Sequence, residues 1–212
     1  MGAADKKFLS DFYLKQFDHI VFESFVAAEP DPKAAGIIAG FQELAGEFPA
    51  ASLEQGGEIP EQLWEGLKEI GIFGLNIPAE YGGVGLSLTQ YLKVLKEMAA
   101  IDMALALIPT AHLSIGTKGI VLYGNDEQKE KYLPRAASGE MLFAYALTEP
   151  NIGSDARHIT TTAVLAKDKS HYLLNGHKAY ITNGNYAGAL MVFAQLNPDK
   201  PGHMGAFIVE TD

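Results

Sequence analysis

The spacing of apolar residues changes once along this chain, near Gly139, and that change limits the fold more than any other feature. Up to about residue 140 the apolar residues recur at helical intervals. Phe41, Leu44, Ala45 and Phe48 form one stripe, and Leu63, Trp64, Leu67 and Ile70 a second, in a segment that Pro60 opens at its first turn. Tyr91, Leu92, Leu95, Met98 and Ala99 form a third. Residues 104–122 are apolar on most faces, interrupted by Pro109 and His112, which predicts a central buried helix. Asn125 reads as the N-cap of a charged helix over 126–133, with Asp126 and Glu127 where the helix dipole favours anions and Pro134 near its end.

Beyond Gly139 the runs shorten and read as strands: 141–147, 160–166, 171–174, 179–181, 190–196 and 205–209. Asn175-Gly176 lies between two of them and predicts a tight hairpin turn. Strands and helices do not alternate, which excludes a doubly wound parallel sheet. The fold class is therefore α+β. Residues 1–39 are expected to be a partly helical N-terminal extension, 40–140 an all-helical domain, and 141–212 a small β-barrel-like domain.

With 48% apolar and 20% charged residues, the 212-residue chain can bury a sizeable core. A net charge of -10 argues against nucleic acid as a partner, because binding a phosphate backbone relies on Lys and Arg. The absence of cysteine removes disulfides, thiolate catalysis and Cys-ligated metals, and fits a reducing compartment. There is no basic-then-apolar leader, and no apolar run reaches the ~18 residues of a membrane span. Lys6 stands where a myristoylation signal after Gly2 needs Ser or Thr. The expectation is a cytoplasmic protein without an integral membrane span.

Two segments could carry chemistry. In the first, Tyr145-Ala-Leu-Thr-Glu-Pro-Asn-Ile-Gly-Ser-Asp155, a strand ending at Thr148 runs into a Gly-Ser-Asp turn. Its end offers backbone groups to the rim of a flat heteroaromatic ring, and Gly153 and Ser154 let a backbone and a hydroxyl approach a phosphate. A plain β-turn in which Asp155 bonds its own backbone accounts for the same residues. In the second, Tyr180 and Thr182 are expected on one face of a strand, where a ring and a hydroxyl could cover a planar cofactor; simple packing is the competing reading. Glu80-Tyr-Gly-Gly-Val-Gly85 lacks the GxGxxG order and reads as a loop between helices. The histidines show no metal-ligand spacing, Gly-x-Ser-x-Gly is absent, and His112 reads as a satisfied core or cavity-lining residue.

In order, these segments resemble the acyl-CoA dehydrogenase family. The resemblance rests on Ala146-Leu-Thr-Glu-Pro-Asn-Ile-Gly-Ser-Asp155 and Leu174-Asn-Gly-His-Lys-Ala-Tyr-Ile-Thr-Asn-Gly184. Pro78-Ala-Glu-Tyr-Gly-Gly-Val-Gly85, Gln128-Lys-Glu-Lys-Tyr-Leu-Pro134, Ala137-Ser-Gly-Glu140 and Ala206-Phe-Ile-Val-Glu210 support it. It covers roughly residues 40–212, and Ala111-His-Leu-Ser-Ile-Gly-Thr-Lys-Gly-Ile120 leans towards the very-long-chain branch. The resemblance implies a helical domain, a middle β domain and a C-terminal helical bundle, with FAD held between the last two; the bundle is absent here. It implies FAD contacts from Tyr145, Ala146, Leu147, Thr148, Gly153 and Ser154, with Leu147 and Thr148 at the isoalloxazine rim. Tyr180, Ile181 and Thr182 would form the second flavin segment, Thr182 facing N5, and Ser154 would also touch acyl-CoA. Tyr180 departs from the family's usual Trp, and Asn151-Ile152 from its small residues.

The implied reaction is α,β-dehydrogenation of a fatty acyl-CoA, with electron-transfer flavoprotein as acceptor and a homo-oligomeric parent. The base, a glutamate of the C-terminal bundle, matches no residue here and is expected beyond Asp212. The expectation is thus a chain that stops before its catalytic residue and is inactive alone. A non-catalytic acyl-CoA- or partner-binding module, and a related flavoenzyme such as an acyl-CoA oxidase or a flavin monooxygenase, are the competing readings.

Overall fold

The computed structural model describes residues 31–49, 53, 58–197, 199, 200 and 202–211. The readings made on the N-terminus and at Asp212, past which the catalytic glutamate is expected, lie outside the described residues. Helix α1 (Pro32–Glu47) starts within the expected extension and runs on across residue 40, burying Ala34, Ile37, Phe41 and Ala45. Helix α2 (Glu61–Glu69) follows Pro60, which is its N-cap, and buries Leu63 and Leu67. Helix α3 (Leu88–Ile101) is capped by the Ser87 hydroxyl and buries Tyr91, Val94, Leu95 and Met98, an i, i+3, i+4, i+7 face. Leu92, expected on that stripe, lies a quarter-turn off it and is 53% exposed; Val94 takes its place.

The apolar stretch is one helical run with a defect. Helix α4 (Met103–Ala111) starts at Asp102, whose carboxylate accepts from Leu105 N, and passes through Pro109. A single π turn follows (His112–Gly116), then α5 (Lys118–Tyr123). A Pro inside a helix removes one rung of the ladder, and wide turns absorb such irregularities. By length and composition Met103–Tyr123 could cross a membrane, unlike the expectation from sequence, yet 56% of its most apolar stretch is buried inside the fold. It is also less enclosed than expected, since Leu107, Ile115 and Leu122 are exposed. Helix α6 (Asp126–Ala137) opens on a full capping box between Asn125 and Gln128. It runs past Pro134, because a proline there sacrifices only the bond to the carbonyl of solvent-facing Glu130, while Leu133, Ala136 and Ala137 gain burial.

Among the described residues five strands make a mixed sheet: β1 (Phe143–Ala146), β2 (Thr162–Leu165), β3 (Tyr172–Asn175), β4 (Ala189–Gln195) and β5 (Met204–Glu210). β5 pairs antiparallel with β4 along its whole length. On the other edge of β4, β1 pairs in parallel as far as Ala146↔Val192, and β2 takes over at Thr162↔Gln195. β1 and β2 thus follow one another along one edge, leaving a gap opposite Phe193 and Ala194. β3 pairs antiparallel with β2 and is exposed throughout, with Leu173 and Leu174 on opposite faces. The hairpin between β2 and β3 turns at 166–171, where Asp168 accepts from Ser170 and Lys169 has φ 59°. Asn175-Gly176 is not a hairpin turn. Gly176 is needed for close approach instead, since a Cβ there would lie 2.3 Å from Thr161 Oγ1.

The two halves meet at Phe143, which is fully buried, edge-on to Tyr132 at 5.9 Å and beside the His112 ring at 6.2 Å. His112 is fully buried too. Its Nδ1 accepts from Phe143 N at 2.9 Å and its Nε2 donates to Ala136 O at 3.1 Å, an arrangement that only the neutral Nε2–H tautomer satisfies. Burial pushes its pKa down to about 4. Because the folded value lies below the unfolded one, stability from this site is present above about pH 6.5 and is lost as pH falls towards 4. Unfolding free energy should therefore fall by about 3 kcal/mol across that window. Chemical denaturation of wild type and His112→Gln at each pH checks this, with the variant expected to show a flatter profile.

Candidate functional site

The segment 147–161 leaves the sheet at the gap between β1 and β2. Its turn is closed by two reciprocal bonds, Glu149 N→Ile152 O at 2.9 Å and Ile152 N→Glu149 O at 3.0 Å, across Pro150-Asn151. The Glu149 side chain points inward and is 3% exposed. One carboxylate oxygen accepts from Thr160 N (2.7 Å) and Thr160 Oγ1 (2.6 Å). The other accepts from Thr161 N (2.8 Å), Thr161 Oγ1 (2.6 Å) and Lys178 Nζ (3.0 Å). Burial acts to raise its pKa, but the Thr160 and Thr161 side-chain and backbone donors outweigh it and hold the carboxyl well below the usual carboxylate range. Both oxygens are saturated, so Glu149 cannot collect a proton from a substrate.

Lys178 also donates to Leu147 O at 3.0 Å, and Ala179 N donates to Thr148 O at 3.0 Å. These bonds bring the two sequence-predicted segments together, although not as expected. Residues 179–181 are not a strand, and Tyr180 and Thr182 do not share a strand face. Tyr180 adopts a left-handed conformation (φ 58°) with its ring 88% exposed, and Asn183 does the same at φ 65°. Long-range bonds override the short alternating pattern. Ala179 is tied to Thr148, and the buried Asn183 side chain donates to Ile108 O at 2.9 Å.

Of the residues singled out from sequence, Ala146 is buried, Tyr145, Leu147, Thr148 and Ile181 are half-buried, and Gly153, Ser154, Tyr180 and Thr182 are exposed. The backbone N–H groups of Thr148, Gly153 and Ser154 meet no acceptor among the described residues. A methyl group added at Gly153 would touch nothing within 4 Å, so packing does not consume the space there. Asp155 does not bond its own backbone; its carboxylate takes the His158 ring at 2.8 Å. Beside Tyr145, whose ring packs on Phe193 at 4.9 Å, an apolar groove of about 370 Å³ runs between α5 and the sheet, with Lys118 and Tyr123 at its margin. That volume is in the range of small-molecule sites. The Gly82–Gly85 stretch spends its amides internally, on the carbonyls of residues 74, 77, 78 and 79, as a packed loop does. Among the described residues no group of three or more His, Cys, Asp or Glu is arranged to hold a metal.

Comparison with known proteins identifies the family. The acyl-CoA dehydrogenase N-terminal domain profile matches residues 41–140, and the middle domain profile matches 144–212. The chain belongs to the acyl-CoA dehydrogenase family. The human very long-chain specific mitochondrial acyl-CoA dehydrogenase is 46% identical over 158 residues, 72% of this chain and 24% of its own length. The crystal structure of the Bacillus anthracis acyl-CoA dehydrogenase complexed with FAD is 38% identical with a TM-score of 0.76, covering 86% of this chain and 31% of that one. A structure described as the electron transferring flavoprotein of Acidaminococcus fermentans is 34% identical with a TM-score of 0.78, covering 86% and 49%. The chain thus spans from 24% to 49% of the length of these relatives.

The residues that sequence reasoning missed are those that brace the site: Thr160, Thr161, Lys178 and Asn183, together with the bracing role of His112. Only the Thr160-Thr161 pair left a local signal, two adjacent hydroxyls at a strand entry. Removing the charge in Glu149→Gln leaves Lys178, 12% exposed, without its partner and should cost about 3–5 kcal/mol. Urea unfolding measures the loss, and Glu149→Gln/Lys178→Met should recover part of it. A left-handed conformation costs a residue with a side chain roughly 1–2 kcal/mol, part of which glycine gives back in unfolded-state entropy. Tyr180→Gly should therefore stabilise the ligand-free protein by about 0.5–1 kcal/mol, whereas Tyr180→Ala, which keeps the strain, should not.

Proposed function

We propose that these residues form one wall of an FAD site in an acyl-CoA dehydrogenase acting on long fatty acyl chains, with a helical domain that includes α1 and runs to residue 140, and 141–212 as its β domain. The observation that carries the reading is the joining of two separate segments through Lys178 and Ala179 at a gap in the sheet, where three backbone amides meet no acceptor among the described residues. Such a site fits a flat ring with a phosphate tail. Thr148 N–H would bond the ring's rim, Gly153 and Ser154 would meet a phosphate without displacing packed atoms, and the exposed Tyr180 ring would cover one ring face. Tyr145, Leu147, Ile181 and Thr182 complete the contact surface, with Ala146, expected among the contacts, buried behind it, and Ser154 also faces the acyl-CoA. The groove beside Tyr145 offers an apolar chain a place to lie out of water.

Bound there, the flavin would take up the hydride that leaves the β-carbon as the thioester becomes a 2-enoyl-CoA. The chain's own part is to orient the ring and exclude water from it. Glu149 is spent on the turn, so the base that removes the α-proton comes from elsewhere in the assembled enzyme. Our candidate is a glutamate of the family's C-terminal bundle, encoded past Asp212. An electron-transfer flavoprotein as acceptor, a homo-oligomeric assembly and a cytoplasmic location belong to the same proposal.

The test uses the protein made from its complete reading frame. It should hold FAD stoichiometrically, bleach when palmitoyl-CoA is added without oxygen, and recover colour with electron-transfer flavoprotein rather than with air. Recolouring by oxygen, with peroxide formed, would assign an oxidase instead, and FAD binding without bleaching a non-catalytic module. Bleaching by short acyl-CoA but not by palmitoyl-CoA would overturn the chain-length reading. The 212 residues alone should retain FAD only weakly, because the opposite wall of the site is not among them.

A further inference from the structure

We infer that His112 and Asn183 are positioning residues that hang both flavin-facing segments from one turn of the core helix, an inference that rests on the FAD reading above. His112, the C-cap of α4, and the carbonyl of Ile108 are four residues apart, about one turn along the helical run. His112 accepts from Phe143 N at 2.9 Å, two residues before Tyr145 opens the first segment. Asn183 donates from Nδ2 to Ile108 O at 2.9 Å and directly follows Thr182, which ends the second. The two segments are therefore registered against the same turn and, through it, against each other.

The helix is shaped for this use. The Phe143 amide faces away from β4, where Leu142 O takes Gly188 N and Ala189 N, so the imidazole is its partner. The π turn brings Gly116 against the same residue. A Cβ at Gly116 would stand 2.8 Å from Phe143 Cβ and 3.1 Å from Phe143 O, so only glycine lets helix and strand close to this distance. Ile108 O already accepts the His112 backbone N–H, and its second lone pair receives Asn183. Asn183 is 8% exposed, and asparagine is among the few side-chain-bearing residues that accept a left-handed backbone readily. An apolar contact would bury as well, but it would leave rotation and sliding open. A buried, directional hydrogen bond restricts both.

The experiment measures FAD binding to full-length apoprotein by flavin fluorescence quenching, at a temperature where every variant is shown to be folded. Asn183→Gly keeps the left-handed backbone and removes the donor, and His112→Leu removes the acceptor. Each should raise the FAD dissociation constant about ten-fold, or about 1.4 kcal/mol, and blur the fine structure of the bound flavin's visible band. His112→Gln, which can still donate and accept, should recover at least half of that loss. Should His112→Leu not fold, Asn183→Gly carries the test alone. Folded Asn183→Gly with a lowered melting temperature but unchanged FAD affinity and band shape would show a purely structural bond and overturn the inference. Wild-type protein that binds no FAD would instead overturn the reading on which it rests.

Discussion

Phe143 has no exposed surface, and the way it is seated joins the helical half of the chain to the sheet. Its ring packs between Tyr132 and His112, its backbone lies against Gly116, and its amide is held by the His112 imidazole. Ring packing alone would bury area without choosing an orientation. The imidazole bond adds a direction, and it does so between groups with no access to water, where an unpaired amide would cost about 1–3 kcal/mol. β1 therefore leaves the core along one line, and the turn that follows it inherits that line.

A second buried polar group governs what the turn does next. The Glu149 carboxylate gathers donors from Thr160, Thr161 and Lys178, so the end of β1, the approach to β2 and the start of the second segment converge on two oxygens. This resembles the use of a bound ion as an organising centre, except that the anion is part of the chain. The cost of burying it is offset by five hydrogen bonds. The rigidity so gained makes the left-handed Tyr180 tolerable, since strained conformations persist where surrounding bonds over-determine the backbone.

Much of this was legible in the sequence, for particular reasons. Helix α3 announces itself through its apolar period, and α6 through the Asn125 cap with Asp126 and Glu127 in its first turn, because both signals are complete within a few residues. The first segment was legible because strand end and turn are contiguous. The second was misread. Residues 179–181 have a strand's alternation, but their conformation is set by Thr148, 31 residues before Ala179, and by Ile108, 75 before Asn183. Gly176 misled for a related reason, since glycine serves a tight turn and a close approach equally well, and only Thr161 distinguishes the two. The parallel succession of β1 and β2 along β4, which opens the gap, has no local signature at all.

The edge strand β3 carries a further consequence. It offers an unpaired row of backbone donors and acceptors, with Leu173 and Leu174 on opposite faces and no charged residue among its four. Natural sheets usually blunt such edges with a lysine, a proline or a bulge. Left uncovered, this one is a template on which a second strand can add, although its four-residue length limits such an addition to a few backbone bonds.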